Sequence, residues 1–116
     1  MEIKGRDLVA GVPKNIKISS AQIREALTEP VNSIIDAVRQ SLEQTPPELA
    51  SDILDRGIVM TGGGALLKGL DKRIRHETNL PVIVADDPLT CVARGTGVIL
   101  ENMNKYSKVL MRSRKD

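Results

Sequence analysis

The chain has 116 residues, 41% hydrophobic and 28% charged, which is typical of one globular domain and excludes a disordered chain or a large two-lobed enzyme. A net charge of only +2, with Tyr106 as the one aromatic residue, argues against nucleic acid as a partner. The single cysteine, Cys91, excludes an internal disulfide framework and is typical of a reducing cytoplasm. No apolar run approaches the roughly 20 residues of a membrane span.

A polar β-hairpin is predicted at the start of the chain. The segments "EIKGRDL" and "KNIKI" flank "VAGVP", where Gly11 and Pro13 favour a turn, so the hairpin covers Glu2 to Ile18. Such a hairpin has little apolar surface of its own. We therefore expect it to need a partner surface.

A long helical pattern follows the hairpin. Ser19 and Gln22 have the spacing of a capping box, and apolar residues then recur at intervals of three and four as far as about Glu43. Pro30 disfavours helix at the residue before it, so the pattern allows either two successive helices or one kinked helix. The apolar stripe consists of Leu27, Val31, Ile34, Ile35, Val38 and Leu42.

Helices and strands alternate in the second half of the chain. "TPPE" predicts a short helix with Thr45 as its cap, Pro46 at its first position and Gly57 at its end. "IVM" and "VIVA" read as buried strands, and the first is expected to be covered on both faces. A helix is predicted directly after the three glycines, ending at Asn79. The alternation implies a parallel α/β layer.

The last predicted helix follows "DDP". Asp87 before Pro88 reads as its cap, although Asp86 and Asp87 could also form a metal pair. Cys91 lies in the apolar pattern of this helix, where we expect a buried small residue. The remaining residues are basic and weakly patterned, which predicts a frayed tail.

The triplet "GGG" after the first strand is the candidate site. A glycine turn at the carboxyl end of a buried parallel strand lets backbone N–H groups approach a ligand with no Cβ in the way, and the dipole of the following helix would favour phosphate there. The other interpretation is that the glycines only permit a tight turn. Three glycines alone leave both open.

A resemblance to a known family favours the ligand-binding interpretation over the plain turn. "IVMTGGGALLKGLDKRI" resembles the adenosine motif of the superfamily of actins, sugar kinases and heat-shock chaperones. "TPPELASDILDRGIVMTGGGALLKGLD" and "LPVIVADDPLTCVARGTGVILEN" are more similar still to the MreB family of bacterial actins, and so are "EIKGRDLVAGVPKNIKISS" and "QIREALTEPV". The resemblance covers nearly the whole chain except its C-terminal end.

The resemblance implies that the chain is the C-terminal part of an actin-like (ribonuclease H-like) α/β ATPase lobe, with parallel strands, helices and an N-terminal β-hairpin. Residues 1–29 would come from the small subdomain of the second lobe, residues 30–104 would form its large subdomain, and residues 105–116 would be a basic tail. The phosphate loops, the catalytic acid and the metal ligands for Mg²⁺ are expected outside this chain.

The resemblance also implies which residues contact ATP. Its adenosine would pack against Gly62, Gly63, Gly64, Ala65 and Leu66. Thr61 is a weaker candidate, because a hydroxyl there can also satisfy the backbone of the turn. No catalytic residue and no metal ligand is expected in the chain.

The implied function is that of an ATP-binding, filament-forming bacterial actin that organises cell-wall synthesis and maintains rod shape at the cytoplasmic face of the membrane. The whole protein would be a slow ATPase, whereas this chain alone would not be an enzyme. Expected partners are further copies of the chain and membrane-anchored proteins of cell shape and cell-wall synthesis, with membrane contact only through missing N-terminal parts. The alternatives are a fragment of a metabolite kinase or chaperone-type ATPase of the same superfamily, and an isolated interaction module.

Self-association is a further expectation. A lobe cut from a two-lobed protein exposes strand edges and apolar stripes that favour pairing. We expect a dimer or larger assembly through either the Glu2 to Ile18 hairpin or the stripe of Ile34, Val38 and Leu42.

Overall fold

The computed structural model describes residues 1–110, which form two units, Met1–Gln44 and a second that begins at Thr45. The first unit contains β1 (Glu2–Arg6), β2 (Pro13–Lys17) and α1 (Ser20–Glu43). The second contains α2 (Pro47–Arg56), β3 (Ile58–Met60), α3 (Leu70–Thr78), β4 (Val82–Val84) and α4 (Cys91–Glu101). This order confirms the predicted α/β class.

The predicted subdomain boundary after residue 29 refers to the larger fold of the family and stays a prediction. The basic tail predicted over residues 105–116 falls partly outside the described residues, since the description ends at residue 110. Within the described part of that tail, a 3-10 turn covers Ser107–Val109.

The predicted hairpin is present. β1 and β2 pair antiparallel, with Ile3 opposite Ile16 and Arg6 opposite Pro13. At the open end the N–H of Ile18 donates to the carbonyl of Met1 at 2.9 Å. Nearly all side chains of the hairpin are exposed.

Helix α1 begins with the predicted capping box. The N–H of Gln22 donates to Ser19 Oγ at 3.2 Å, and the N–H of Ser19 donates to Gln22 Oε1 at 2.8 Å. The helix runs through Pro30 to Glu43. Of the two predicted alternatives, a pair of successive helices is therefore wrong. A proline removes one helical hydrogen bond, but its φ is compatible with a helix.

The apolar stripe of α1 is only partly exposed. Ile35 is buried and 2% exposed, whereas Ile34 is 42% exposed. The half-buried members are Leu27, Val31, Val38 and Leu42.

The start of α2 differs from the prediction by one residue. Pro46, rather than Thr45, is the N-cap, and the helix begins at Pro47. Pro46 has ψ 146°, which is extended rather than helical, as expected for a residue that precedes another proline. Gly57 ends the helix as predicted, with φ 76°.

The core of the second unit lies between α3 and the parallel pair β3 and β4. Arg75 Nη2 of α3 donates to the carbonyl of Val82 in β4 at 2.7 Å. Asn79 ends α3 in a left-handed conformation with φ 54°, as the sequence predicts. The buried residues of the unit are Ala65, Leu70, Ile74, Leu80 and Val82.

The expectation that β3 is covered on both faces is wrong. β3 and β4 pair in parallel with Val59 beside Ile83, and these two side chains are 55% and 58% exposed. Neighbouring residues in a parallel register point to the same face. The face opposite the core is therefore open, because the described residues place no helix over it.

The helix predicted directly after the glycines also starts later. A 3-10 turn covers Gly63–Leu66, Leu67 is extended, and Gly69 takes a left-handed φ of 88° before α3 begins at Leu70. The N-terminus of α3 is thus not at the triplet. The predicted contribution of its dipole to the glycine turn is wrong.

Helix α4 is preceded by a 3-10 turn over Pro88–Thr90. Asp87 is not the predicted side-chain cap: it has φ 47°, and its carboxylate accepts the Thr90 hydroxyl at 2.8 Å. Cys91 is half-buried rather than buried, because it begins α4 beside the loop. No helix within residues 1–110 has both the length and the apolarity to cross a bilayer.

Candidate functional site

The glycine loop (residues 61–66) lies at the carboxyl end of β3. The loop after β4 (residues 85–90, the Pro88 loop) lies at the same edge, because parallel strands end on the same side of a sheet. The N–H of Gly62 donates to the carbonyl of Pro88 at 2.8 Å, and the N–H of Ala85 donates to the carbonyl of Met60 at 3.0 Å. These two hydrogen bonds hold the loops side by side.

The three glycines of the triplet differ in what their positions require. Gly62 has φ 80°, which strongly favours glycine. At Gly63 a Cβ would lie 3.3 Å from Leu89 Cδ2, so the residue allows the two loops to pack. At Gly64 a Cβ would meet no atom within 4 Å, and its φ is not positive. The protein alone therefore gives no reason for a glycine at residue 64.

The other candidate residues face different surroundings. Ala65 is only 6% exposed and anchors the turn in the core, whereas Leu66 is 57% exposed and Thr61 is exposed. The first N–H that bonds within the turn belongs to Ala65, which donates to the carbonyl of Gly62 at 3.2 Å. The turn thus combines glycine backbone, an exposed aliphatic side chain and a hydroxyl on one short segment.

The sequence analysis missed the Pro88 loop as part of this site. Its backbone is held from α4 by Arg94, whose Nη2 donates to the carbonyl of Asp86 at 2.7 Å. The signal was available, because "DDP" follows a strand predicted to be parallel to the strand before the glycines. The sequence analysis considered Asp87 as a cap or as part of a metal pair, so the proximity of Pro88 and Leu89 to the triplet was not predicted.

The two aspartates of the Pro88 loop are not part of a larger cluster of metal ligands within the described residues. Asp86 and Asp87 are adjacent in the Pro88 loop, but within residues 1–110 there is no group of three or more His, Cys, Asp or Glu side chains that could hold an ion. What the glycine loop offers a ligand is exposed glycine backbone and the aliphatic side chain of Leu66.

Known proteins are similar to this chain in sequence. A family model described as MreB/Mbl protein matches residues 1–108. The cell shape-determining protein Mbl of Bacillus subtilis is 53% identical over 108 residues, which cover 93% of this chain and 32% of the relative. The cell shape-determining protein MreB of Escherichia coli K12 is 55% identical over 106 residues, covering 91% of this chain and 30% of the relative.

Two solved structures are similar at the level of the fold. MreB5 of Spiroplasma citri bound to AMPPNP matches with a TM-score of 0.82 and 44% identity, over 93% of this chain and 32% of that one. The same protein bound to ADP gives a TM-score of 0.81 at the same identity, with 93% and 33% covered.

The fold is that of part of an actin-like ATPase. Within that class, the chain belongs to the MreB/Mbl family. It spans about a third of the length of the curated relatives that it matches.

Proposed function

We propose that this chain is the C-terminal, adenosine-contacting part of an ATP-binding bacterial actin that assembles into filaments and maintains rod cell shape. The observation that carries the proposal is the glycine loop, where Gly64 has open space for a Cβ although the chain places a glycine there. A close backbone approach by a ligand explains such a glycine. The AMPPNP and ADP in the related Spiroplasma structures support a nucleotide as that ligand.

Residues Gly62 to Leu66 have separate parts in this proposal. Gly63 and Gly64 present bare backbone to the adenosine, Leu66 contributes exposed apolar surface, and Ala65 fixes the turn from below. ATP would bring Mg²⁺ with it, held by residues outside this chain. The family match, at about half identity, favours this function over a metabolite kinase, a chaperone-type ATPase or an isolated interaction module.

The whole protein would act at the cytoplasmic face of the membrane. Its partners would be other copies of itself and membrane-anchored proteins of cell shape and cell-wall synthesis. The names of the relatives, cell shape-determining proteins, support a role in cell shape.

The test of the glycine loop is nucleotide binding by a chimera that joins this chain to the remaining part of the Escherichia coli relative. Gly64→Val should weaken ADP binding by roughly 1 to 3 kcal/mol, because the new side chain would occupy the space of the ligand. Gly5→Ala in β1, where a Cβ also meets nothing, is the matched control and should bind normally. Unchanged affinity in a folded Gly64→Val protein would leave the triplet as a plain turn.

The chain alone should hydrolyse no ATP. Phosphoryl transfer needs positioned phosphate-binding groups, Mg²⁺ and an oriented water, and the proposal places these outside residues 1–116. The measurement is phosphate release by the purified chain with Mg²⁺. Metal-dependent turnover above that of a Gly63→Ala and Gly64→Val double variant would contradict it.

A further inference from the structure

Arg94 connects the Pro88 loop to helix α4. It is the fourth residue of α4, and its Nη2 donates to the carbonyl of Asp86 at 2.7 Å and to that of Asp87 at 3.4 Å. A guanidinium is a charged donor, so its hydrogen bond to a carbonyl is stronger than one between neutral groups. One side chain of the helix thus contacts two successive carbonyls of the loop.

The backbone of the Pro88 loop is not in a conformation that it would hold by itself. Asp87 has φ 47°, in the left-handed region that side chains disfavour. The Thr90 hydroxyl donates to Asp87 Oδ2 at 2.8 Å, but this bond lies within the loop and does not fix the loop on α4. The Cys91 thiol adds only a weak contact, with its sulfur 3.6 Å from the carbonyl of Asp87. The position of the loop on α4 therefore depends mainly on Arg94.

The Pro88 loop in turn supports the glycine loop. The carbonyl of Pro88 accepts the N–H of Gly62 at 2.8 Å. Leu89 Cδ2 lies 3.3 Å from the place that a Cβ at Gly63 would occupy. A displacement of the Pro88 loop would remove the acceptor of Gly62 and change the surface against which Gly63 packs. The contacts thus run from Arg94 through the Pro88 loop to the start of the glycine loop.

We infer that Arg94 is a positioning residue of the nucleotide site: through the Pro88 loop it keeps the glycine loop in the arrangement that binds adenosine. The inference rests on the proposed function. Arg94 is exposed, so water replaces the lost donor when the side chain is removed, and the fold loses little stability. A ligand that binds only one arrangement of a loop nevertheless loses affinity as the protein leaves that arrangement. Removal of Arg94 should therefore weaken binding more than folding.

ADP binding by the chimera with the Escherichia coli relative tests the inference. Arg94→Met keeps the apolar stem and should weaken ADP binding roughly three- to fivefold. Arg94→Lys keeps a cationic donor, so its affinity should lie between those of Arg94→Met and the unaltered chimera. The matched control is Arg75→Met, which removes a hydrogen bond of 2.7 Å to the carbonyl of Val82. Val82 lies at the end of β4 away from the Pro88 loop, so this variant should bind ADP normally.

The free energy of unfolding of the 116-residue chain is the second measurement. Arg94→Met should lower it less than Arg75→Met does, because Val82 is buried and Asp86 is exposed. If Arg94 only stabilised the fold, affinity would follow stability, and Arg75→Met would weaken ADP binding at least as much. A positioning residue gives the opposite order in the two measurements. Normal ADP affinity in Arg94→Met, or an equal loss in Arg75→Met, would overturn the inference.

Hydrogen exchange in the chain without nucleotide tests the step between Arg94 and the glycine loop. In Arg94→Met the N–H of Gly62 should exchange at least about threefold faster, because its acceptor on Pro88 moves with the loop. The N–H of Ile58 is the internal control: it donates to the carbonyl of Pro81 at 2.8 Å, at the other end of the strand pair. Unchanged exchange at Gly62 would overturn the inference, since Arg94 would then not act through the Pro88 loop.

Gly64→Val in the chimera distinguishes failure of this inference from failure of the nucleotide site. If Gly64→Val weakens ADP binding and Arg94→Met does not, the nucleotide site stands and the positioning role of Arg94 is wrong. If the unaltered chimera binds no ADP, or if Gly64→Val leaves its affinity unchanged, the proposed role of the glycine loop is wrong. The inference about Arg94 then fails with it.

Discussion

Helices α3 and α4 each follow a strand of the same parallel pair, yet only α3 is packed. Leu70 and Ile74 of α3 are 7% and 3% exposed, whereas Val92 and Leu100 of α4 are 73% and 64% exposed and no residue of α4 is buried. α4 is nevertheless the more apolar helix. Apolar composition alone therefore does not decide which helix is buried.

The difference follows from connectivity. α3 lies between β3 and β4, and the crossover from one parallel strand to the next returns the helix over the sheet. No strand follows α4 within residues 1–110, so no second crossover places it against the sheet. The sheet face that carries Val59 and Ile83 is exposed as well.

The largest expected loss of stability comes from substituting Gly57, directly before β3. Gly57 precedes β3 with φ 76° and ψ −158°, and a Cβ there would collide with the backbone of Pro81, which precedes β4. Gly57→Ala should cost at least about 3 kcal/mol, because the strain of this glycine-only conformation adds to the collision. The free energy of unfolding in urea measures it, with Gly5→Ala as the control. Equal stability of the two variants would show that the backbone at residue 57 relieves the collision with Pro81 at no cost.

The second prediction sets one helix directly against the other. Ile74→Ala in α3 should lower the free energy of unfolding by about 3 kcal/mol, as is usual for truncating a buried isoleucine. Leu100→Ala in α4 should change it by less than about 0.5 kcal/mol, because the side chain is already mostly in water. Thermal and urea unfolding of both variants provide the comparison. A large loss with Leu100→Ala would mean that α4 is covered in solution.

The sequence predicted the elements better than their surroundings. The capping box at Ser19, the stop at Asn79 and the glycine end of α2 are local patterns, and each is confirmed. The two-faced burial of "IVM" was inferred from an apolar run alone. Such a run shows that the residues are apolar, but not that the chain supplies a cover for both faces.

The candidate site shows the same division. The position of the glycine turn at a strand end was predictable from the sequence. The delayed start of α3 was not, because the left-handed turn at Gly69 depends on how Leu70 and Ile74 reach the core. The pairing of Gly62 with Pro88 joins residues distant in sequence, and only the parallel register of β3 and β4 brings them together.

The smallest predicted effect compares two arginines that bind backbone carbonyls. Arg75 of α3 donates to the carbonyl of buried Val82 at 2.7 Å in a partly buried hydrogen bond, and Arg94 of α4 donates to the carbonyl of Asp86 at the same distance in an exposed one. Arg75→Met should cost about 1 kcal/mol, since a partly buried carbonyl loses its partner while the apolar stem is kept. Arg94→Met should cost less than about 0.5 kcal/mol, because water replaces the donor.

A substitution of Asp71 distinguishes the contribution of the Arg75 hydrogen bond from that of the Arg75 ion pair. Arg75 Nη2 also lies 3.7 Å from Asp71 Oδ2, with the two side chains 48% and 31% exposed, and such partly exposed pairs contribute little. Asp71→Asn should therefore change the free energy of unfolding by less than about 0.5 kcal/mol. If Asp71→Asn instead destabilised the chain as much as Arg75→Met, the ion pair would account for the effect. The hydrogen bond to the carbonyl of Val82 would then not explain why Arg75→Met in α3 costs more stability than Arg94→Met in α4.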